Sequence, residues 1–164
     1  MSPLVVTLAL PDDVQAELDG LRRRWFPSGR TAVGAHLTLF HAVPCQLEDQ
    51  VRGDLAEVAA QGPVGLRFTG VTSLGRGAAY AVESPDLARR HADLQGRWAP
   101  HLTRQDSQRL RAHVTLQNKV EPAEARRTVD ALRAGFTPVD VEAPGFDLWR
   151  YEGGPWTHLT RVTA

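Results

Sequence analysis

A chain of 164 residues with 42% apolar side chains and four tryptophans is long and apolar enough for a real core, which argues against a disordered chain. Nineteen Lys and Arg balance nineteen Asp and Glu. That neutrality excludes a broadly basic surface gripping long nucleic acid through phosphate neutralisation, though not a local positive cleft for one phosphate or strand end.

Leu4 to Leu10 reads as a strand, ended by Pro11. It is too short to span a membrane and lacks the basic start and cleavage site of a secretory signal, so a cytoplasmic chain is expected. Asp12 and Asp13 then suit a helix start, where their charge meets unpaired N–H groups. Val14, Leu18, Leu21 and Trp25 follow on one face of a 3.6-residue period. Leu37 to Val43 is a short β-type run. Cys45 is the only cysteine, so no internal disulfide and no Cys-based zinc site can form. Leu47, Val51, Leu55 and Val58 are spaced for a second helix. Val64 to Leu74 and Ala78 to Glu83 read as a strand pair around Gly75-Arg76-Gly77. Pro85-Asp86 starts a third helix carrying Leu87, His91, Leu94 and Trp98. Arg111 to Gln117 is again β-type. Pro122 is a good first-turn residue, and Ala125, Val129, Leu132 and Phe136 follow at helical spacing. Val139 to Tyr151 and Trp156 to Val162 close the chain as a strand pair around Glu152-Gly153-Gly154-Pro155.

The chain is written twice. Leu21-Arg22-Arg23-Arg24-Trp25-Phe26-Pro27 reappears as Leu94-Gln95-Gly96-Arg97-Trp98-Ala99-Pro100, each after a Pro-Asp pair. Ala35 to Leu39 and Ala112 to Leu116 both read Ala-His-apolar-Thr-Leu. A period of roughly seventy-five residues is too long for a solenoid, and two copies imply a pseudo-twofold unit. The expected architecture is α+β, two antiparallel sheets facing a central cleft with helices outside. It forms one domain over 1–164, with approximate repeats 4–83 and 78–162, intertwined because Ala78 to Glu83 ends one copy and begins the next.

In a strand, residues i and i+2 share a face. His36 and Thr38 therefore point one way while Leu37 and Leu39 point into the core; His113 and Thr115, with Val114 and Leu116, repeat this. Such a His-Thr pair is poor core design but a sensible cleft wall. Two imidazoles across one phosphate suit phosphodiester cleavage, one taking a proton from the attacking hydroxyl and the other giving one to the leaving oxygen. The threonine hydroxyls can donate to the non-bridging oxygens. The scheme requires no metal and no cofactor.

These paired H-x-T-x segments resemble the 2H phosphoesterase superfamily, specifically the LigT-like bacterial RNA 2′,3′-cyclic phosphodiesterases also known as 2′-5′ RNA ligases. The likeness spans essentially the whole chain. It implies that His36, Thr38, His113 and Thr115 line the catalytic cleft, and that RNA ends or small nucleotides carrying a cyclic phosphate are opened to a 2′-phosphate, with 2′-5′ linkages as further substrates. It also implies His36 as acid and His113 as base, although pseudo-symmetry leaves the reverse equally compatible with the residues. Where some relatives place a basic residue directly after the second motif, this chain has Gln117 and Asn118 before Lys119, its only lysine. Arginines, which contact phosphate bidentately, are the expected grip.

Arg111, two residues before His113, is the candidate phosphate or backbone contact, with an ordinary exposed arginine as the alternative. Phe40 shares the His36 face if the strand stays regular and could stack a base, as could Tyr151 and Trp156 beside the last turn. His41, on the face of Leu37, is expected to be a satisfied core or edge histidine, and His91 to be buried. His101 and His158 have no partner at metal-ligand spacing, so no zinc site is expected. Trp25 and Trp98 are expected in the core, and the molecule is expected to be a monomer. A non-catalytic module binding nucleotides or phosphate ligands in the same cleft is the alternative from another class.

Overall fold

The computed structural model describes residues 2–27 and 33–164. Among the described residues eight strands and four α-helices follow in the order β1 (Leu4–Ala9), α1 (Asp12–Trp25), β2 (Leu37–Val43), α2 (Glu48–Ala59), β3 (Val64–Ser73), β4 (Ala78–Glu83), α3 (Pro85–Trp98), β5 (His113–Gln117), α4 (Pro122–Gly135), β6 (Val139–Ala143), β7 (Gly145–Tyr151) and β8 (Trp156–Thr163). They form two four-stranded antiparallel sheets, ordered β2-β1-β7-β8 and β5-β4-β3-β6. The fold is α+β with antiparallel sheets, as the duplicated unit and its closing strand pairs predict.

The connectivity differs from the sequence expectation in one respect. Val139 to Tyr151 is not one strand: β6 ends at Ala143, and after Pro144 the chain continues as β7 in the other sheet. Proline has no N–H to give a ladder and fixes its own φ, so it marks the crossing. The two copies thereby exchange strands. β6 of the second copy pairs with β3 of the first from Val64↔Ala143 to Phe68↔Val139, and β7 of the second pairs with β1 of the first from Leu4↔Arg150 to Ala9↔Gly145.

Burial follows these roles. All six residues of β1 are buried, because the strand is central in its sheet and covered on both faces. The buried cluster joins Leu8, Leu37 and Phe146 of one sheet to Leu66, Phe68 and Leu116 of the other through helix residues Leu18, Leu55, Leu87, Leu94 and Trp98. Trp98 is fully buried, and its indole Nε1 donates to Asp54 Oδ2 at 2.8 Å, which satisfies its polar end. Trp25, its counterpart in the first copy, is only partly buried against the same core. Helix α3 starts as its sequence predicts, with Pro85 in the first turn and Ser84 Oγ accepting from Leu87 N at 3.0 Å.

The strand exchange sets a steric limit at Gly145. A Cβ built there would lie 1.9 Å from Val162 O on β8, whereas one at Gly53 in α2 would meet nothing within 4 Å. Gly145→Ala is expected to destabilise the fold by about 1–3 kcal/mol through forced backbone movement. Gly53→Ala should stabilise it by about 0.5–1 kcal/mol through helix propensity. Denaturant unfolding of both variants checks the pair, and equal midpoints would contradict the close packing of β7 on β8.

Candidate active site

His36 stands immediately before β2 and His113 opens β5, with Thr38 and Thr115 two residues on in each strand. Leu37, Leu39, Val114 and Leu116 are buried beneath them. Each imidazole is fixed by the carbonyl two residues earlier: His36 Nδ1 to Gly34 O at 2.7 Å and His113 Nδ1 to Arg111 O at 2.7 Å. A carbonyl can only accept, so in the neutral ring Nδ1 carries the proton and Nε2 keeps the lone pair. The two histidines are near enough for the charge of one to act on the other, His113 being among the groups that lower His36.

The surroundings of the motifs are unequal. The His36 ring packs against Trp156, with centroids 4.7 Å apart. It borders a cavity of about 220 Å³ walled by Thr7, Gln15, Asp147, Trp149, His158 and Arg161. Asp147 is buried and accepts from Arg161 Nε and Nη2, each at 2.9 Å, and from His158 Nε2 at 2.9 Å. Trp149 Nε1 donates to Thr7 Oγ1 at 2.9 Å, which holds the indole in the wall. A second cavity, of about 310 Å³, is lined by Thr38, His41, Asp106, Arg109, Arg111 and His113 among others.

Burial is the main force on His36 and pushes its pKa from 6.5 down to about 4; the Gly34 carbonyl opposes this, while Arg22, His41 and His113 add to it. Arg22 is itself buried in α1, its Nη1 donating to Thr115 O at 2.7 Å and its Nη2 to Val33 O at 3.2 Å. One side chain thus ties the segment before the first motif to the strand of the second. Gln95, at the same place in the second copy, instead donates to Asp106 O at 3.0 Å and Gln108 O at 2.7 Å.

Several expected residues lie elsewhere than the strand pattern suggests. Phe40 is not on the cleft wall: it is fully buried, stacked on His91 at 4.6 Å and edge-on to Trp98 at 4.8 Å. The cause is a bulge, since Thr38 pairs with Thr7 and Phe40 with Val6, which leaves Leu39 opposite no residue of β1. The extra residue turns Leu39 and Phe40 both inward and brings His41 out beside Thr38, not onto the face of Leu37. His41 N and Ala42 N donate to the buried Asp106 at 2.8 and 2.9 Å, and His41 Nδ1 lies 3.2 Å from the same carboxylate. His91, by contrast, is buried as expected, with Nε2 3.0 Å from Leu39 O. Arg111 lies just before β5, not within it, and lines the second cavity. Tyr151 is exposed opposite Trp156, and it is Trp156 that touches His36. No motif or periodicity in the sequence marks Arg22, Asp106 or Asp147 as site residues. Of these only Arg22 carries a local hint, its place beside the duplicated Leu-x-x-Arg-Trp marker. Among the described residues no three His, Cys, Asp or Glu side chains group to hold a metal ion.

The lowered His36 pKa makes stability depend on pH in a defined direction. Between about 4 and 6.5 the unfolded chain binds the His36 proton more readily than the folded one, so this contribution is present above 6.5 and is lost as pH falls towards 4. His36→Gln, which cannot bind that proton, should lose less melting temperature between pH 7 and pH 5 than the parent. Equal losses in thermal scans would place the ring in a solvated, unperturbed setting.

A family model described as the 2′-5′ RNA ligase superfamily matches residues 10–155. Among solved structures, E. coli LigT complexed with 3′-AMP superposes with a TM-score of 0.68 at 18% identity over 99% of each chain. A phosphoesterase superposes at 0.65 and 18% identity over 99% of each chain, and TT0787 of Thermus thermophilus at 0.63 and 21% identity over 99% of this chain and 97% of its own. No curated protein matches. The two-lobed fold is that of these structures, and the match over nearly the whole chain assigns this protein to the 2′-5′ RNA ligase superfamily, as an enzyme of the 2H phosphoesterase type.

Proposed function

We propose that the chain hydrolyses a nucleoside or RNA-end 2′,3′-cyclic phosphate to the 2′-phosphate, using His36 and His113 as the proton-transfer pair and the hydroxyls of Thr38 and Thr115 as donors to the phosphoryl oxygens. The matched fixing of both imidazoles carries this reading. With Nδ1 bound to a carbonyl in each motif, both rings offer Nε2 for chemistry, one as acceptor when neutral and one as donor when protonated. LigT has been solved with 3′-AMP, with phosphate and with ATP, ligands whose phosphate chemistry fits the same cleft.

Of the two assignments left open by pseudo-symmetry, the electrostatics favour His36 as the base. A ring held near a pKa of about 4 is neutral at pH 7, its Nε2 lone pair available to water. Water then loses its proton to His36 as its oxygen bonds to phosphorus. The bond from phosphorus to the 3′ oxygen breaks, and protonated His113 supplies that oxygen with its proton. The negative charge gained on the equatorial oxygens is met by hydroxyl donors from both strands. This reverses the assignment that the family resemblance implies. A 2′-5′ phosphodiester presents the same atoms and is a reasonable second substrate.

Turnover of a nucleoside 2′,3′-cyclic phosphate in EDTA is the test. His36→Ala and His113→Ala should each lower kcat by at least about 100-fold, the scale of a lost acid or base. Thr38→Ala or Thr115→Ala should cost about 10²-fold or less, the lower end for one lost donor. Full activity in either histidine variant would sink the pair. Binding of nucleotides without turnover of any cyclic or 2′-5′ substrate would favour a non-catalytic module. With His36 as base, the acid limb of the kcat/KM profile should lie near pH 4, and Arg22→Met, which removes a cation beside His36, should move that limb to higher pH.

A further inference from the structure

We propose that the cavity on the His113 side of the cleft is a subsite for a second phosphate, so that the preferred substrate carries a phosphate ester beyond the cyclic one. The inference rests on the phosphodiesterase reading above. Arg109 and Arg111 are exposed, line the same cavity as Thr38 and His113, and have no hydrogen bond or ion pair from their guanidinium groups to any described residue. The one carboxylate in that wall, Asp106, is 3% exposed and is occupied by the main-chain N–H groups of His41 and Ala42 and by the His41 ring. It anchors the arginine-bearing loop to β2 without neutralising the arginines. Gln95 holds the same loop from α3 through the carbonyls of Asp106 and Gln108.

The cavity on the His36 side is built oppositely. Its arginine, Arg161, is locked in a two-pronged pair with Asp147, and Trp149 forms part of its wall. A neutralised, aromatic-walled cavity suits a nucleobase, whereas two unpaired guanidinium forks lining the same cavity as His113 suit another phosphate. On an RNA end that group is the 5′ phosphodiester of the terminal nucleotide; on a mononucleotide it is a 5′-phosphate.

The test compares kcat/KM on a nucleoside 2′,3′-cyclic phosphate, its 5′-phosphorylated form and a dinucleotide ending in the same cyclic phosphate. The wild type is expected to prefer the last two by about 10-fold or more, with a preference that shrinks as salt rises. In Arg109→Ala with Arg111→Ala the preference should fall towards parity, and Arg109→Lys should keep part of it. A dinucleotide favoured while the 5′-phosphorylated mononucleotide is not would assign the gain to the extra nucleoside and overturn the subsite. So would a preference that survives the double substitution. Should no cyclic phosphate be turned over, titration of a nucleoside 2′-phosphate against the 2′,5′-bisphosphate reads the subsite separately. Tighter binding of the bisphosphate, lost in the double variant, supports it, and equal binding overturns it.

Discussion

The guanidinium of Arg22 lies inside the protein, held by the carbonyls of Val33 and Thr115 and with no carboxylate hydrogen-bonded to it among the described residues. A buried cation is costly unless its hydrogen bonds are met; here Nη1 and Nη2 are met by main-chain oxygens on both sides of the cleft, while Nε is buried without a partner among the described residues. One side chain that belongs to neither His-Thr motif thus bridges the segment before the first and the strand of the second. Desolvation lowers the pKa of Arg22, yet an arginine stays charged under any ordinary condition, so its field on His36 is permanent.

Burial of His36, with that field added to it, makes two copies of one motif unequal. The duplicated backbone gives both imidazoles the same carbonyl partner and the same tautomer. What surrounds them differs: Trp156 and a buried cation near His36, an open wall of arginines near His113. A reaction that needs one proton acceptor and one donor profits from such inequality, because rings with identical environments would compete for the same proton. Gln95, in place of a second buried arginine, holds a loop by neutral hydrogen bonds and leaves the His113 side without that charge.

Strand exchange supports the same arrangement from below. Because β7 completes the sheet of β1 and β2, Asp147 and Trp149 from the second copy stand beside the first motif. The anchor at Asp106 likewise joins a second-copy loop to β2. Neither cavity is made by one copy alone, so opening the lobes would dismantle both.

Period and repetition make most of this legible in the sequence. The 3.6-residue spacing of Leu87, His91, Leu94 and Trp98, the alternation around His36 and His113, and the Pro-Asp starts are local properties, set by side chains within a turn or a strand of each other. They determined the element types, the duplication and the four motif residues. Tertiary structure alone decided the rest. The bulge at Leu39 depends on pairing with β1, and one unpaired residue was enough to send Phe40 into the core and bring His41 out. The crossing at Pro144 depends on which sheet has an open edge, and the partners of Arg22, Asp106 and Asp147 lie between 11 and 93 positions away. Hydrogen bonds across such distances leave no periodic trace, because they are chosen by how the two sheets meet and not by the residues next in the chain.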